Sequence, residues 1–133
     1  MKELVLDASV VVKWFDPSPA RHAVEARAIL DEFEDGRLLP VVPSLLFIEV
    51  LNVAGRHWRS ASDELLTLAE RLQDMRFTVA EADLGAVAVW VGRGLTAYDA
   101  VYVSLAEARG IRLVTDDRQM LTIAPDLTQP LGG

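Results

Sequence analysis

The sequence predicts an α/β fold built on a parallel sheet, and three features carry that expectation. Short apolar runs of strand length recur along the chain, and longer stretches with apolar residues at helical spacing lie between them. Turn-forming Pro, Gly, Asp and Ser residues separate the two kinds of segment. Strands that alternate with helices in this way pack best as a parallel sheet covered by helices.

The elements follow in order. Glu3-Leu4-Val5-Leu6 is an apolar run closed by Asp7 and reads as a buried first strand. Ala8 to Phe15 suits a short helix, stopped by Asp16-Pro17-Ser18-Pro19. Arg21 to Phe33 places Ala23, Ala26, Ile29, Leu30 and Phe33 on one helical face, with Gly36 near its end. Leu38 to Val42 is a second strand before Pro43, and Ser44 is placed to cap a helix reaching about Trp58. Ala61 to Gln73 is amphipathic, with Leu65, Leu68, Ala69 and Leu72 facing inward. Phe77 to Val79 reads as strand, Ala82 to Val91 as helix, and Gly92-Arg93-Gly94 as the break after it. Thr96 opens a helix ending at Gly110, Ile111 to Val114 is the next strand, and a short helix follows Asp116-Asp117. Beyond Pro125 the pattern favours neither helix nor strand.

A chain of 133 residues can close one hydrophobic core, and neither a linker nor a repeat interrupts it, so residues 1–133 are expected to form one domain. Its apolar fraction of 51% with 25% charged residues is that of a globular protein. No apolar run approaches the roughly 18 residues of a membrane span, and the N-terminus lacks the apolar core of an export signal. Cysteine is absent, which excludes disulfides and thiolate metal sites and fits a cytoplasmic setting. Charge is the informative quantity. Thirteen Lys and Arg against twenty Asp and Glu leave a net −7, the wrong sign for binding a polyanion by charge alone. Acids gathered to hold divalent cations would resolve the conflict, because a filled site neutralises part of that charge.

Four acids stand out. Glu49 lies within Leu45-Leu46-Phe47-Ile48-Glu49-Val50-Leu51-Asn52-Val53, where its own helical face carries Leu45, Leu46, Asn52 and Val53. A carboxylate among such neighbours is costly unless it is paired, snorkels to water or binds a cation. Asp99 sits similarly in Ala97-Tyr98-Asp99-Ala100-Val101-Tyr102, although Thr96-x-x-Asp99 also resembles a capping box. Asp7 and Asp117 each follow an apolar strand and precede a helix. Either could be a simple N-cap, but the C-terminal ends of parallel strands also open onto the crevice where ligands bind. Asp116 is an equal candidate for the second cap. Oxygen-only ligands suit Mg²⁺ or Mn²⁺, and neither a thiol nor a histidine cluster is present to favour zinc. Elsewhere the chain is silent. His22 and His57 read as surface residues, and Trp14, Trp58 and Trp90 as core or interface. No P-loop, Gly-x-Ser-x-Gly elbow or dinucleotide fingerprint occurs.

Leu4-Val-Leu-Asp-Ala-Ser9 with Val12-Lys-Trp14, Pro43-Ser44 leading to Glu49 and Asn52, Leu95-Thr-Ala-Tyr-Asp-Ala-Val-Tyr102, and Leu113-Val-Thr-Asp-Asp-Arg118 stand in one order along the chain. Together they resemble the PIN-domain family, and most closely the VapC toxins of toxin–antitoxin pairs. The resemblance implies a three-layer α/β/α sandwich round a short parallel sheet. It also implies Asp7, Glu49, Asp99 and Asp117 as an acidic quartet for Mg²⁺ or Mn²⁺, with Ser9, Thr115 and Asp116 beside it. The implied activity is metal-dependent hydrolysis of RNA phosphodiesters, and the implied partners are a VapB-type antitoxin and a second copy of the chain. Two other readings stand against it. A haloacid-dehalogenase-type phosphatase would need Asp-x-Asp after the first strand, where this chain has Ser9, and a non-catalytic PIN-like module would not need the acids.

Overall fold

The computed structural model describes residues 1–18 and 20–132; the expected helix stop at Pro19 lies outside them. The chain runs β1 (Lys2–Leu6), α1 (Ala8–Phe15), α2 (Ala23–Glu34), β2 (Leu38–Val42), α3 (Leu45–Arg56) and α4 (Ser62–Asp74). It continues with β3 (Thr78–Val79), α5 (Leu84–Gly92), α6 (Ala97–Arg109), β4 (Leu113–Thr115), α7 (Arg118–Ile123) and β5 (Thr128–Pro130). The five strands form one sheet in the order β3-β2-β1-β4-β5, and every pairing is parallel. The α/β expectation therefore holds, with helices flanking a short parallel sheet. α1 packs on α2 and α3, and α3 on α4, while α5 packs on α6. Right-handed crossovers turn these two groups onto opposite faces.

Strand order sets the place of the site. The chain winds outward from β1 to β2 to β3, then returns across the sheet to β4 on the other side of β1. The two strands where winding reverses, β1 and β4, are the pair whose C-terminal ends open a crevice. Register makes this concrete: Val5 pairs with Leu113 and Leu6 with Val114, so the next residues, Asp7 and Thr115, emerge side by side.

Central strands covered on both faces need apolar residues throughout. Val5, Leu6, Val41, Val42 and Leu113 are all fully buried, joined by Val10, Val11, Leu46 and Tyr102 from the helices. Trp14 is half-buried and packs against the core. Its indole N–H donates to the Ala26 carbonyl at 2.9 Å, and its ring stacks on Phe77 at a centroid distance of 6.2 Å. Gly94 and Gly110 both have positive φ, 111° and 65°, and end α5 and α6 in the conformation that glycine adopts at least cost.

Three local expectations need correction. The tail beyond Pro125 forms β5, which adds to β4 as an edge strand; its three residues are too few to show a period. The strand read at Phe77–Val79 is reduced to Thr78–Val79. Ser44 does not cap α3 with its side chain; its N–H and Oγ instead donate to Glu81 at 2.8 and 2.9 Å. A carboxylate from 37 residues downstream thus serves the helix N-terminus, where negative charge is favoured.

Leu6 is wholly buried between β2 and β4. Leu6→Ala should cost about 2–5 kcal/mol of unfolding free energy. Urea denaturation followed by circular dichroism measures it, and a loss below about 1 kcal/mol would contradict this central packing.

Candidate metal centre

Asp7 is the innermost acid, only 6% exposed. It occupies the N-cap position of α1 yet makes no side-chain cap bond, so its carboxylate serves something else. Both nearby hydroxyls donate to its Oδ2: Ser9 Oγ at 2.7 Å and Thr115 Oγ1 at 2.7 Å. Ser9 Oγ also accepts the Asp116 N–H at 3.0 Å, and Thr115 Oγ1 accepts the Asp117 N–H at 2.9 Å. The first turn of α1 is thereby stitched to the β4–α7 junction through Asp7. Burial drives the Asp7 carboxyl above the ordinary carboxylate range; the two hydroxyls oppose the shift and the Asp117 charge adds to it.

The other acids arrive from three separate elements. Asp117 N-caps α7, its Oδ1 accepting the Met120 N–H at 3.0 Å, so the cap is Asp117 and not Asp116. Asp116 points to Lys13, whose Nζ lies 3.3 Å away and also donates to the Ser9 carbonyl at 2.9 Å. Asp99 is half-buried at the start of α6. Thr96 caps its N–H at 3.1 Å, but among the described residues the Asp99 carboxylate makes no return bond, so the capping box is incomplete and the acid is left over. Burial, then the charges of Asp117 and Asp7, push Asp99 up to about 6. Glu49, on α3, is raised first by burial and then by Asp7 and Asp99, against a hydrogen bond from Tyr102. The charge of Asp7 thus acts on Glu49 and Asp99, and that of Asp117 on Asp7 and Asp99.

That repulsion, with oxygen donors only, is the chemistry that suits a hard divalent cation. Among the described residues no group of three or more His, Asp or Glu side chains is arranged to grip an ion directly. A groove of about 500 Å³ leads away from the acids, lined by Val12, Leu45, Ile48, Glu49, Asn52 and Tyr98.

The family model for the PIN domain matches residues 4–124. The chain belongs to the PIN-domain family. It is 32% identical to Ribonuclease VapC3 of Pyrobaculum aerophilum over 136 aligned residues, covering 96% of this chain and 99% of that protein. The crystal structure of PAE2754 from Pyrobaculum aerophilum has a TM-score of 0.69 and 25% identity, over 98% of this chain and 90% of that one. VapBC2 from Rickettsia felis, solved with a promoter DNA fragment, has a TM-score of 0.66 over 96% of this chain and 98% of that one; at 12% identity it speaks for the PIN fold alone.

Sequence reasoning missed three PIN-domain residues that touch the site. Tyr102 donates to Glu49, and Lys13 bridges Ser9 and Asp116. His22, read as an isolated surface residue, has Nε2 3.9 Å from Asp116 and Nδ1 3.2 Å from Glu25. Lys13 was findable, four residues after Ser9 on one helical face; the approach of His22 to Asp116 was not, because the two come from distant segments of the chain.

The raised carboxyls set a pH dependence. An acid whose folded pKa exceeds its unfolded value destabilises the native state above the folded value and ceases to do so below the unfolded one. For Asp99 that window runs from about 6 down to 3.8. In EDTA, the melting temperature should rise as pH falls from neutral into this window, until other carboxylates protonate. Asp99→Asn should melt a few degrees higher than wild type at neutral pH, with a flatter profile. Thermal melts across pH 5–8 decide it; a mutant with the wild-type profile would mean Asp99 is not in a repulsive cluster.

Proposed function

We propose that this chain, as a single PIN nuclease domain, is a Mg²⁺- or Mn²⁺-dependent endoribonuclease and the toxin of a VapBC-type pair, acting in the cytoplasm. The observation that carries the reading is the Asp7 carboxylate, buried at the β1–β4 crevice, held by Ser9 and Thr115 and making no cap bond, with its charge acting on Glu49 and Asp99 and that of Asp117 acting on it. No structural requirement of the fold calls for that arrangement, and it costs stability. The relative named as a ribonuclease supports RNA as the substrate.

In this reading Asp7, Asp99 and Asp117 hold the cation, and Glu49 either joins them or orients the attacking water. When bound, the cation supplies positive charge to the scissile phosphate and leaving oxygen and makes water a better nucleophile. The protein's own residues do the positioning. Ser9 and Thr115 fix Asp7 Oδ2 and so present its other oxygen to the crevice. Asp117 is held by its own cap bond, which leaves one oxygen unused by α7. Lys13, 12% exposed, is a fixed positive charge that keeps Asp116 out of the acid cluster. The phosphatase alternative loses its required second aspartate to Ser9, whose hydroxyl is already committed to Asp7.

The 32% identity with Ribonuclease VapC3, on top of the VapC-like motifs, supports an antitoxin as partner. A second copy of the chain fits the apolar face where Ile48 and Leu84 are 64% and 81% exposed.

Asp7→Asn and Asp99→Asn should each reduce cleavage of an RNA oligonucleotide to background and relieve growth inhibition, with circular dichroism unchanged. EDTA should do the same to wild type, and Mg²⁺ should restore it. A mutant still toxic at wild-type expression would remove the metal-site reading. The cognate antitoxin should bring an Arg or Lys to the acids, where its charge replaces the cation's. Crosslinks placing every basic antitoxin residue far from Asp7 and Asp99 would refute that part.

A further inference from the structure

Tyr102 lies three residues beyond Asp99 on α6 and is fully buried. A buried tyrosyl hydroxyl must find a partner, and backbone carbonyls are the usual choice in a core. This one crosses from α6 to α3 and donates to Glu49 Oε1 at 2.5 Å. The acceptor is thus one of the site's own acids, on the face of α3 that lines the groove with Ser9 and Asn52. A phenylalanine would fill the same volume without burying a hydroxyl, so the polar atom has to be explained by what it holds. Glu49 without that donor would be repelled by Asp7 and Asp99, and a long flexible side chain would swing towards water.

We infer that Tyr102 is a positioning residue for the metal centre: its hydroxyl occupies Glu49 Oε1 and leaves a single carboxylate oxygen for the crevice. Glu49 then takes part chiefly through Oε2, as a one-oxygen ligand or a holder of water, because Oε1 already accepts the Tyr102 hydroxyl. This rests on the proposed metal-dependent reading. Hydrogen bonds of this kind, from a neighbour to a ligand, fix the ligand's orientation, and their loss typically weakens metal affinity or activity by about 10–100-fold.

The test uses Tyr102→Phe, Glu49→Gln and the double variant, with Mg²⁺ binding followed by calorimetry and cleavage by a fluorescent RNA oligonucleotide. Y102F should bind Mg²⁺ about tenfold more weakly and lower kcat while leaving KM for RNA unchanged. In the E49Q background the same change should do nothing further, because Tyr102 acts only through Glu49. Full wild-type Mg²⁺ affinity in Y102F, or losses that add in the double variant, would overturn the inference. A measurement on an intact Tyr102 guards against a folding defect. The chain has two tyrosines, so ¹³Cζ-tyrosine-labelled Tyr98→Phe protein reports Tyr102 alone. Its resonance should move when Mg²⁺ is added and stay still in the Y98F/E49Q variant; a resonance indifferent to bound Mg²⁺ also overturns the inference. Wild type that cleaves RNA in EDTA and binds no Mg²⁺ would instead defeat the metal reading itself, and this inference with it.

Discussion

The carboxylate of Asp7 is buried at the end of the central strand, and much of the local architecture is what satisfying it requires. Moving a charged group out of water is costly unless donors replace the lost solvent. Two hydroxyls do so, one from two residues along the chain and one from the paired strand. Each hydroxyl in turn accepts a backbone N–H from the β4–α7 junction. The positions of Ser9, Thr115, Asp116 and Asp117 are therefore coupled to one carboxylate. This coupling depends on the parallel register of β1 with β4, and a slip of one residue would replace Thr115 at that point by another side chain facing the opposite way.

Around this fixed point the charges are unbalanced. Asp7, Glu49 and Asp99 all have raised carboxyls, and in each case burial is the largest cause and another acid of the cluster contributes. Lys13 is the nearest fixed cation, but it spends its charge on Asp116 and the Ser9 carbonyl at the edge of the cluster. The mutual influence of these acids is thus left without a cation to offset it among the described residues. In the metal-dependent reading proposed above, stability and cation binding are linked, since an ion among these acids would remove a repulsion the folded state otherwise carries. The same logic explains how a chain of net charge −7 can approach RNA: the acids that set the sign are in part those a cation would offset.

Local pattern made the parallel fold legible, because apolar strands and amphipathic helices each announce their period over a handful of residues. The four candidate acids stand out for a related reason: each is a charge where the pattern demands an apolar residue or a turn. Contacts between distant segments were not. Glu81 serving α3, Tyr102 reaching Glu49 and His22 facing Asp116 all depend on which elements become neighbours, and one sequence carries no pairing information about that. Choosing between Asp116 and Asp117 as the cap failed similarly. Both can reach an amide, and what decides is Lys13, which holds Asp116 from another element. β5 was missed because three residues ending at a proline cannot display alternation.

Helix α3 shows how the same residues answer several demands at once. Leu46, Val50 and Ala54 are buried and anchor it to the sheet. Glu49, one position before Val50, is turned to the crevice and tied to α6 through Tyr102. Ile48, one position earlier again, is 64% exposed and continues the apolar face towards Leu84 of α5. A helix turns about 100° per residue, so three consecutive positions must look in three directions. Here those directions are an exposed apolar face, the candidate acids and the core. The Glu81 bonds at Ser44 fix the end of α3 nearest all three. A displacement of that end would move the apolar face and Glu49 together, so whatever settles on Ile48 and Leu84 acts on the same rigid element that carries an acid of the site.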